Sequence, residues 1–382
     1  METDTASVRG FTLRVPAAGE EEDRYGVEVS QGQLILDSCD ISAASGIGVV
    51  IGGDGSSALI KNCRIHGAEE GVGILEHGAG VLEDCEIWGN QDCGVYIETG
   101  GNPILRRCKV HHNQGVGVVV GENGVGVLED CEIWGNQESG IEIQEGGNPV
   151  LRRCKIHDSQ QYGVAVTERG AGVLEDCEIW GNELSGVYID SGGSPMIRRC
   201  NIHDGQQHGI MVTGKGAGEF EDCEIHGNLL PDVAIREGGA PALRRCKIHD
   251  GKLAGVFALD QGAGEFEKCE IWGSGHYGAE IKTGGNPVFR RYFPGPEAPV
   301  SCGRRPRAGR HGGRKIVDTY TLYRVYKYPL SSRSRLNSLM PPAVSRGMAE
   351  IQPCRLGNGP VVPSADHVPE VLHNHQWKRK RT

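Results

Sequence analysis

Apolar and polar positions recur along this chain with a period of 23 residues. In the unit Gly78 to Gly100 the regular small or apolar positions are Leu82, Cys85, Ile87, Val95 and Ile97, and between them stand Glu83, Asp84, Glu86 and Trp88. Cys85 and Ile87 are two residues apart, as are Val95 and Ile97, which is the side-chain period of a strand and not of a helix. Gly78, Gly80, Gly89, Asn90, Gly94 and Gly100 punctuate the pattern and supply the positive-φ corners that most residues resist. Three short strands and three turns in one such unit describe a coil of a right-handed parallel β-helix. Helical repeats are excluded, because no unit holds an uninterrupted amphipathic run long enough for a helix.

The period is exact over most of the chain. From Cys85 it steps by 23 through Cys108, Cys131, Cys154, Cys177, Cys200, Cys223, Cys246 and Cys269, and Cys63 and Cys39 extend it upstream with steps of 22 and 24. This predicts an all-β solenoid of about 11–12 coils, with equivalent residues stacked roughly 4.8 Å apart. Asn90, Asn113, Asn136, Asn182 and Asn228 share one turn position and predict a broken asparagine ladder. The coils also alternate, so the full repeat is 46 residues. One type reads L-E-D-C-E-I-W (Leu128 to Trp134) and the other L-R-R-C-K-I-H (Leu151 to His157). Identical coils stacked in register would set like charges at strand spacing, and alternation sets Arg106 and Arg107 between Glu83/Asp84 and Glu129/Asp130 instead. These charges are read as structural.

Three segments follow. Residues 1–26 are an N-terminal cap or partial coil, 27–291 the β-helix, and 292–382 an irregular, basic, Pro-rich tail expected to be disordered. At Tyr292 the repeat should return to Cys-Lys-Ile-His and instead stops. The tail holds 16 Lys+Arg against 5 Asp+Glu, a net of +11, while residues 1–291 hold 24 against 45, a net of −21. Only Asp318 to Leu330 looks able to form a strand there, and Lys378 to Arg381 resembles a nuclear-import cluster. An acidic solenoid argues against nucleic acid as partner, and no apolar run of membrane-spanning length is present, so no membrane is expected either. The start, METDTASVRG, lacks the apolar core of a signal peptide. Of the 14 cysteines, eleven fall on the ladder position, where Cys acts as a small apolar residue. They are expected to be reduced thiols in cytoplasm or nucleus, with no metal and no cofactor.

No catalytic constellation stands out. Glu and Asp are spread by the repeat, the coils carry no insertion, the polygalacturonase-type elements are absent, and Gln207-His208-Gly209 matches nothing specific. The chain is therefore expected not to be an enzyme. Two outward stripes offer candidate partner-binding residues. One column holds Trp88, His111, Trp134, His157, Trp180, His203, His226, His249 and Trp272, and an aromatic strip of this kind has the composition of a protein-binding hot spot. The other runs along the third strand and includes Tyr96, Tyr188 and Phe257 among residues that vary from coil to coil.

The phrases GNPILRRCKVHHNQGVGVVV, GVLEDCEIWGNQESGIEI and GNPVLRRCKIHDSQQYGVAV resemble the F-box-only proteins that carry a right-handed parallel β-helix, over about residues 27–291. That resemblance implies a non-catalytic scaffold whose β-helix recognises protein substrates for a cullin-based ubiquitin ligase, with ligase components as further partners. Cys stands where that family commonly has Asn in the core ladder, and no F-box helical segment is read before the solenoid, so only the binding half is expected here. The alternative is a carbohydrate-active β-helix protein, lyase- or hydrolase-like, acting on an acidic polysaccharide.

Overall fold

In the computed structural model, which describes residues 5–16, 24–291, 293–294 and 300–302, each unit of the repeat becomes one coil of three strands. Strands at equivalent places in successive coils pair side by side, giving three parallel sheets of thirteen strands each. The coil around Cys131 is representative, with strands Val127–Glu129, Glu132–Trp134 and Ile141–Ile143. Pairing is in register throughout: Leu128 lies beside Leu151, Ile133 beside Ile156, and Ile141 beside Val164. The first coil already begins at Thr5–Arg9, inside the segment read as a partial coil, and Val300–Cys302 pairs onto the third sheet beyond Arg291. The rest of the basic tail, with Asp318 to Leu330, Cys354 and Lys378 to Arg381, lies outside the described residues.

The strand-period apolar positions all turn inward. Leu82, Cys85, Ile87, Val95 and Ile97 are buried, and so are their equivalents in successive coils, forming one continuous core. The corner between the first and second strands is a single left-handed residue: Asp84, Arg107, Asp130, Arg153 and Asp176 all have φ between 52° and 55°. That conformation suits Asn or Asp better than Arg, and here neighbouring corners stabilise one another. Arg153 makes a two-pronged ion pair to Asp130 at 2.7 and 2.8 Å, and Arg107 does the same with Asp84. Arg152 sits between Glu129 and Glu175, at 3.5 and 3.2 Å. The alternating coils thus interlock into two charge ribbons along the first corner.

The ladder cysteines and Cys93 are buried free thiols. Each ladder thiol leans on main-chain carbonyls, as Cys131 Sγ does on Leu105 O at 3.5 Å and Glu129 O at 3.4 Å. The asparagine ladder also forms. Asn90 Nδ2 donates to Asn113 Oδ1 at 2.8 Å, and Asn113 Nδ2 to Asn136 Oδ1 at 2.9 Å. It breaks where the column holds Ser159, Gly205 and Gly251.

At Gly251 the break is repaired from another column. The residues Gly71, Gly94, Gly117, Gly140, Gly163, Gly186 and Gly209 share one position, where the next coil has Asp232. A Cβ at Gly163 or Gly209 would crowd the ladder asparagine of the following coil, with Asn182 or Asn228 Nδ2 at 2.7 Å. Above Asp232 the ladder residue is Gly251, which has no side chain to crowd, and a Cβ there would instead overlap Asp232 Oδ2. The carboxyl group fills the place of the missing asparagine and accepts Asn228 Nδ2 at 2.9 Å. Burial, with a smaller push from Asp250, raises its pKa to about 8 against the opposing hydrogen bonds from Asn228.

Two outcomes follow from this packing. Cys177→Ser should cost about 1–3 kcal/mol in chemical denaturation, because Cys177 is 2% exposed and a hydroxyl there is buried without a good partner; a change of only a few tenths would mean the thiol column is not part of the core. Asp232 is neutral in the fold and ionised in the unfolded chain between about pH 4 and 8, so its contribution to stability falls as pH rises through that window, by at most about 1.4 kcal/mol per unit. Asp232→Asn should lack this slope, and parallel stability curves for the two proteins from pH 4 to 8 would refute it.

Candidate functional site

The Trp and His side chains of the second sheet come together as one stack. Trp134 lies 4.1 Å from His111 and 6.0 Å from His157, and His203, His226 and His249 follow at 4.9 Å intervals with their ring planes nearly parallel. The ring faces are spent on one another and only edges are presented. The histidines are also tied down at their nitrogens: His249 Nε2 to Glu224 at 2.9 Å and Nδ1 to Asp250 at 2.8 Å, with the same Nδ1 bond in His157 and His203. Trp88 is stacked between His111 and His66 of the preceding coil, and Trp272 on His249.

Tyr96, Tyr188 and Phe257 belong to the third sheet, on a face the structure covers more than the alternation of strand positions suggests. Val119, Ala165, Met211 and Ala234 point outward from that sheet yet are buried. The wide turn before each third strand folds back over them, and Cys93, Val116 and Val119 form a small apolar cluster outside the main core with Tyr96 against it. The result is an outer face whose cover changes from coil to coil.

Irregularities concentrate in the coils from Tyr162 to Gly251. Tyr162 comes from the wide turn and stacks on Tyr188 at 4.3 Å. Tyr188 donates its hydroxyl to Asp190 Oδ2 at 3.0 Å, and Asp190 Oδ1 accepts the Ser191 N–H at 2.6 Å. Asp190 has room because the next coil offers Gly214, where a Cβ would overlap the carboxylate; the neighbouring coils have Ser191 and Glu237 at that position. His208, one coil beyond, directs Nδ1 at the Pro231 carbonyl at 3.0 Å. A carbonyl only accepts, so Nδ1 carries the proton and Nε2 keeps its lone pair. Arg236 completes the set: its Nε makes no hydrogen bond among the described residues and lies 3.8 Å from Glu237 Oε1.

These groups sense one another. Burial holds the Tyr188 hydroxyl far above its ordinary range, and Asp190 and Tyr162 push it further; burial likewise raises Tyr162. Burial lowers His208 to about 4, against the Pro231 bond, so the imidazole is neutral at ordinary pH. The charge of Arg236 reaches Tyr162, Tyr188 and His208 alike. Further along this face, burial lifts Glu142 to about 7 and Asp92 to about 6, with Glu138 adding to both, and Ser139 Oγ donates to Glu142 at 2.9 Å. A phenol kept protonated, an imidazole kept neutral and an available guanidinium make a set able to move a proton beside an anion. Among the described residues no group of three His, Cys, Asp or Glu is arranged to hold a metal. An open depression of about 550 Å³ along the turn after the third strand, lined by Thr99, Glu122, Asn123, Glu145, Glu168 and Arg169, carries only the side chains the repeat places there and is not this site.

Of this set only Tyr188 was among the residues singled out from the sequence. The others lie in columns where the signal was present: Asp232 interrupts a run of glycines, Gly214 a run of polar residues, and Arg236 follows Asp190 and Thr213 in one column. Insertions and motifs were the wrong thing to look for, because this site is made by substitution inside a constant coil.

The comparisons with known proteins agree on the fold. The chain resembles the A-module of the Azotobacter vinelandii mannuronan C-5 epimerase AlgE6 at 16% identity and a TM-score of 0.57, covering 79% of this chain and 91% of that one. The AlgE4 A-module of the same organism matches at 14% and 0.51, over 71% and 90%, and the periplasmic alginate epimerase AlgG at 11% and 0.52, over 71% and 77%. No curated protein matches it in sequence. The expected ubiquitin-ligase scaffold is thereby overturned: the family model that matches is not an F-box one, and the three solved structures named above are mannuronan or alginate epimerases. The expectation of a non-enzyme falls with it. The model of the right-handed β-helix region matches residues 3–136, 104–210 and 185–292, and the chain belongs to that family.

Proposed function

We propose that the chain acts on an acidic polysaccharide, a polyuronide, at the outer face of the third sheet, by taking the proton that lies α to a sugar carboxylate. The observation that carries this reading is a set of three groups in the coils that depart from the repeat: His208 holds Nδ1 on the Pro231 carbonyl, Tyr188 bonds Asp190, and the charge of Arg236 acts on both. The fold shared with mannuronan and alginate epimerases supports the choice of a uronate.

The chemistry assigns each group a task. A hydrogen on the carbon next to a carboxylate is weakly acidic, because removing it drives a second negative charge onto the carboxylate oxygens. Arg236 pairs with that carboxylate and offsets the developing charge. His208 Nε2, unprotonated and without a protein partner, takes the proton as general base. The carbanion then meets one of two fates. Tyr188 returns a proton to its other face and regains one from solvent while His208 releases the proton it took, which inverts the centre and leaves atoms otherwise unchanged. Alternatively the carbanion expels the glycosidic oxygen at the neighbouring carbon, which leaves an unsaturated sugar end and a new hydroxyl end. Both reactions share the first step, and neither requires an oxidant.

With a panel of polyuronides in deuterated water, the protein should incorporate deuterium at the carbon bearing the carboxylate, read by NMR. His208→Ala and Tyr188→Phe should each lower that rate by about 10²–10⁴-fold, and Arg236→Ala by about 10²–10³-fold. Absence of both exchange and unsaturated ends across the panel would refute the reading. Catalysis by neutral His208 should also fade only as pH drops toward about 4, where the imidazole becomes protonated.

A further inference from the structure

The wide turn before each third strand is held to the next coil by one constant main-chain bond. Gly71 N–H donates to Cys93 O, Gly94 to Val116, Gly117 to Ser139, Gly140 to Tyr162, Gly163 to Ser185 and Gly186 to His208, all at 2.8–3.2 Å. The next bond in this series would run from Gly209 to Pro231, and it is absent. The Pro231 carbonyl accepts His208 Nδ1 instead, at 3.0 Å. The residue after Pro231 is Asp232, which stands in the glycine column; its carboxyl group turns into the ladder gap at Gly251 and is held there by Asn228. The lost main-chain bond, the substituted glycine and the side-chain bond to His208 therefore fall on one rung.

We propose that Asp232 is a positioning residue: by occupying a glycine place and anchoring in the gap at Gly251, it swings the Pro231 carbonyl out of the coil-to-coil series and onto His208 Nδ1, which fixes the imidazole with Nε2 as its free lone pair. The inference rests on the reading of His208 as the base, but its structural half is independent of any substrate. Asp232 need not touch the sugar. Its own carboxyl group is buried with Oδ2 unpartnered among the described residues, and it acts through the backbone it holds. Gly251 leaves the gap that the carboxyl group fills; Gly205 leaves an equivalent one beside Gly186, where glycine is kept, and at the other ladder places a side chain occupies it.

The test is ¹⁵N NMR of the histidine rings in the full chain. The wild type should show His208 as the Nδ1–H tautomer. Asp232→Asn keeps the shape and the Asn228 contact and should leave that signature unchanged. The double variant Asp232→Gly with Gly251→Asn restores the repeat in both columns, so it should fold, recover the Gly209-to-Pro231 bond and release His208 to the Nε2–H form. Where turnover is measurable, kcat in that variant should fall by at least about tenfold with KM changed less than about twofold. Pro231→Ser should retain the Nδ1–H form, since the carbonyl and not the proline ring is used. Persistence of Nδ1–H in the double variant, or its loss in Pro231→Ser alone, would overturn the role assigned to Asp232. Failure to find a polyuronide substrate would count against the proposed reaction, while the tautomer measurement would still decide this one.

Discussion

In-register stacking of parallel coils is the constraint on which everything else in this molecule depends. Each side chain meets its counterparts roughly 4.8 Å above and below, so a column is viable only if its residue tolerates copies of itself or alternates with a complement. The columns answer differently. Leu, Ile and Val repeat freely because like apolar groups pack well. Cys repeats because a thiol can lean on carbonyls without a partner of its own kind. Asn repeats because its amide both donates and accepts. Charge repeats poorly, and from Asp84 to Arg245 the corner column alternates Asp with Arg, each in a left-handed conformation that the pairing across coils helps to hold; basic corners follow one another only at Lys268 and Arg291, at the end of the repeat.

Chemistry requires the opposite property, a place unlike its neighbours. In this chain such a place is made by substitutions that are matched across columns. Asp190 fits because Gly214 lacks a side chain, and Asp232 fits because Gly251 does. Each intrusion of a carboxylate into the outer face or ladder is accompanied by a deletion of side-chain volume one coil on. Side-chain volume is thereby balanced between coils while the lining changes, and at Pro231 the backbone itself departs from the repeat, its carbonyl turned to His208.

The fold was legible because its determinants are periodic. The 23-residue step of the cysteines and the two-residue spacing of Cys85/Ile87 and Val95/Ile97 gave the coil, its inward face and its stacking, and the Glu-Asp/Arg-Arg alternation gave the ribbons before any coordinates. The site was not legible by the same route, since it consists of departures from period. Tyr188 stood out as an aromatic, but His208 looked like an isolated residue until the Pro231 carbonyl turned toward it, and Asp232 is an ordinary surface letter unless the column of glycines above it is in view. In the Trp and His column an outward aromatic suggests a free face, and here each face is covered by the ring of the next coil. The family resemblance was sound for the solenoid and failed for function, because β-helix coils of different activities share the residues that stacking demands.

The paired corners have a consequence for how such a chain changes length. Arg153 binds Asp130 below it, and Arg152 is shared between Glu129 and Glu175. Loss or duplication of a single coil would bring two arginine corners, or two acidic ones, into direct contact at the junction. Loss or duplication of two coils would leave every junction as it was. The heritable module of this solenoid is therefore the 46-residue pair, and lineages of such proteins should differ in length by whole pairs, with odd coils surviving only at the ends, where a corner has one neighbour to satisfy.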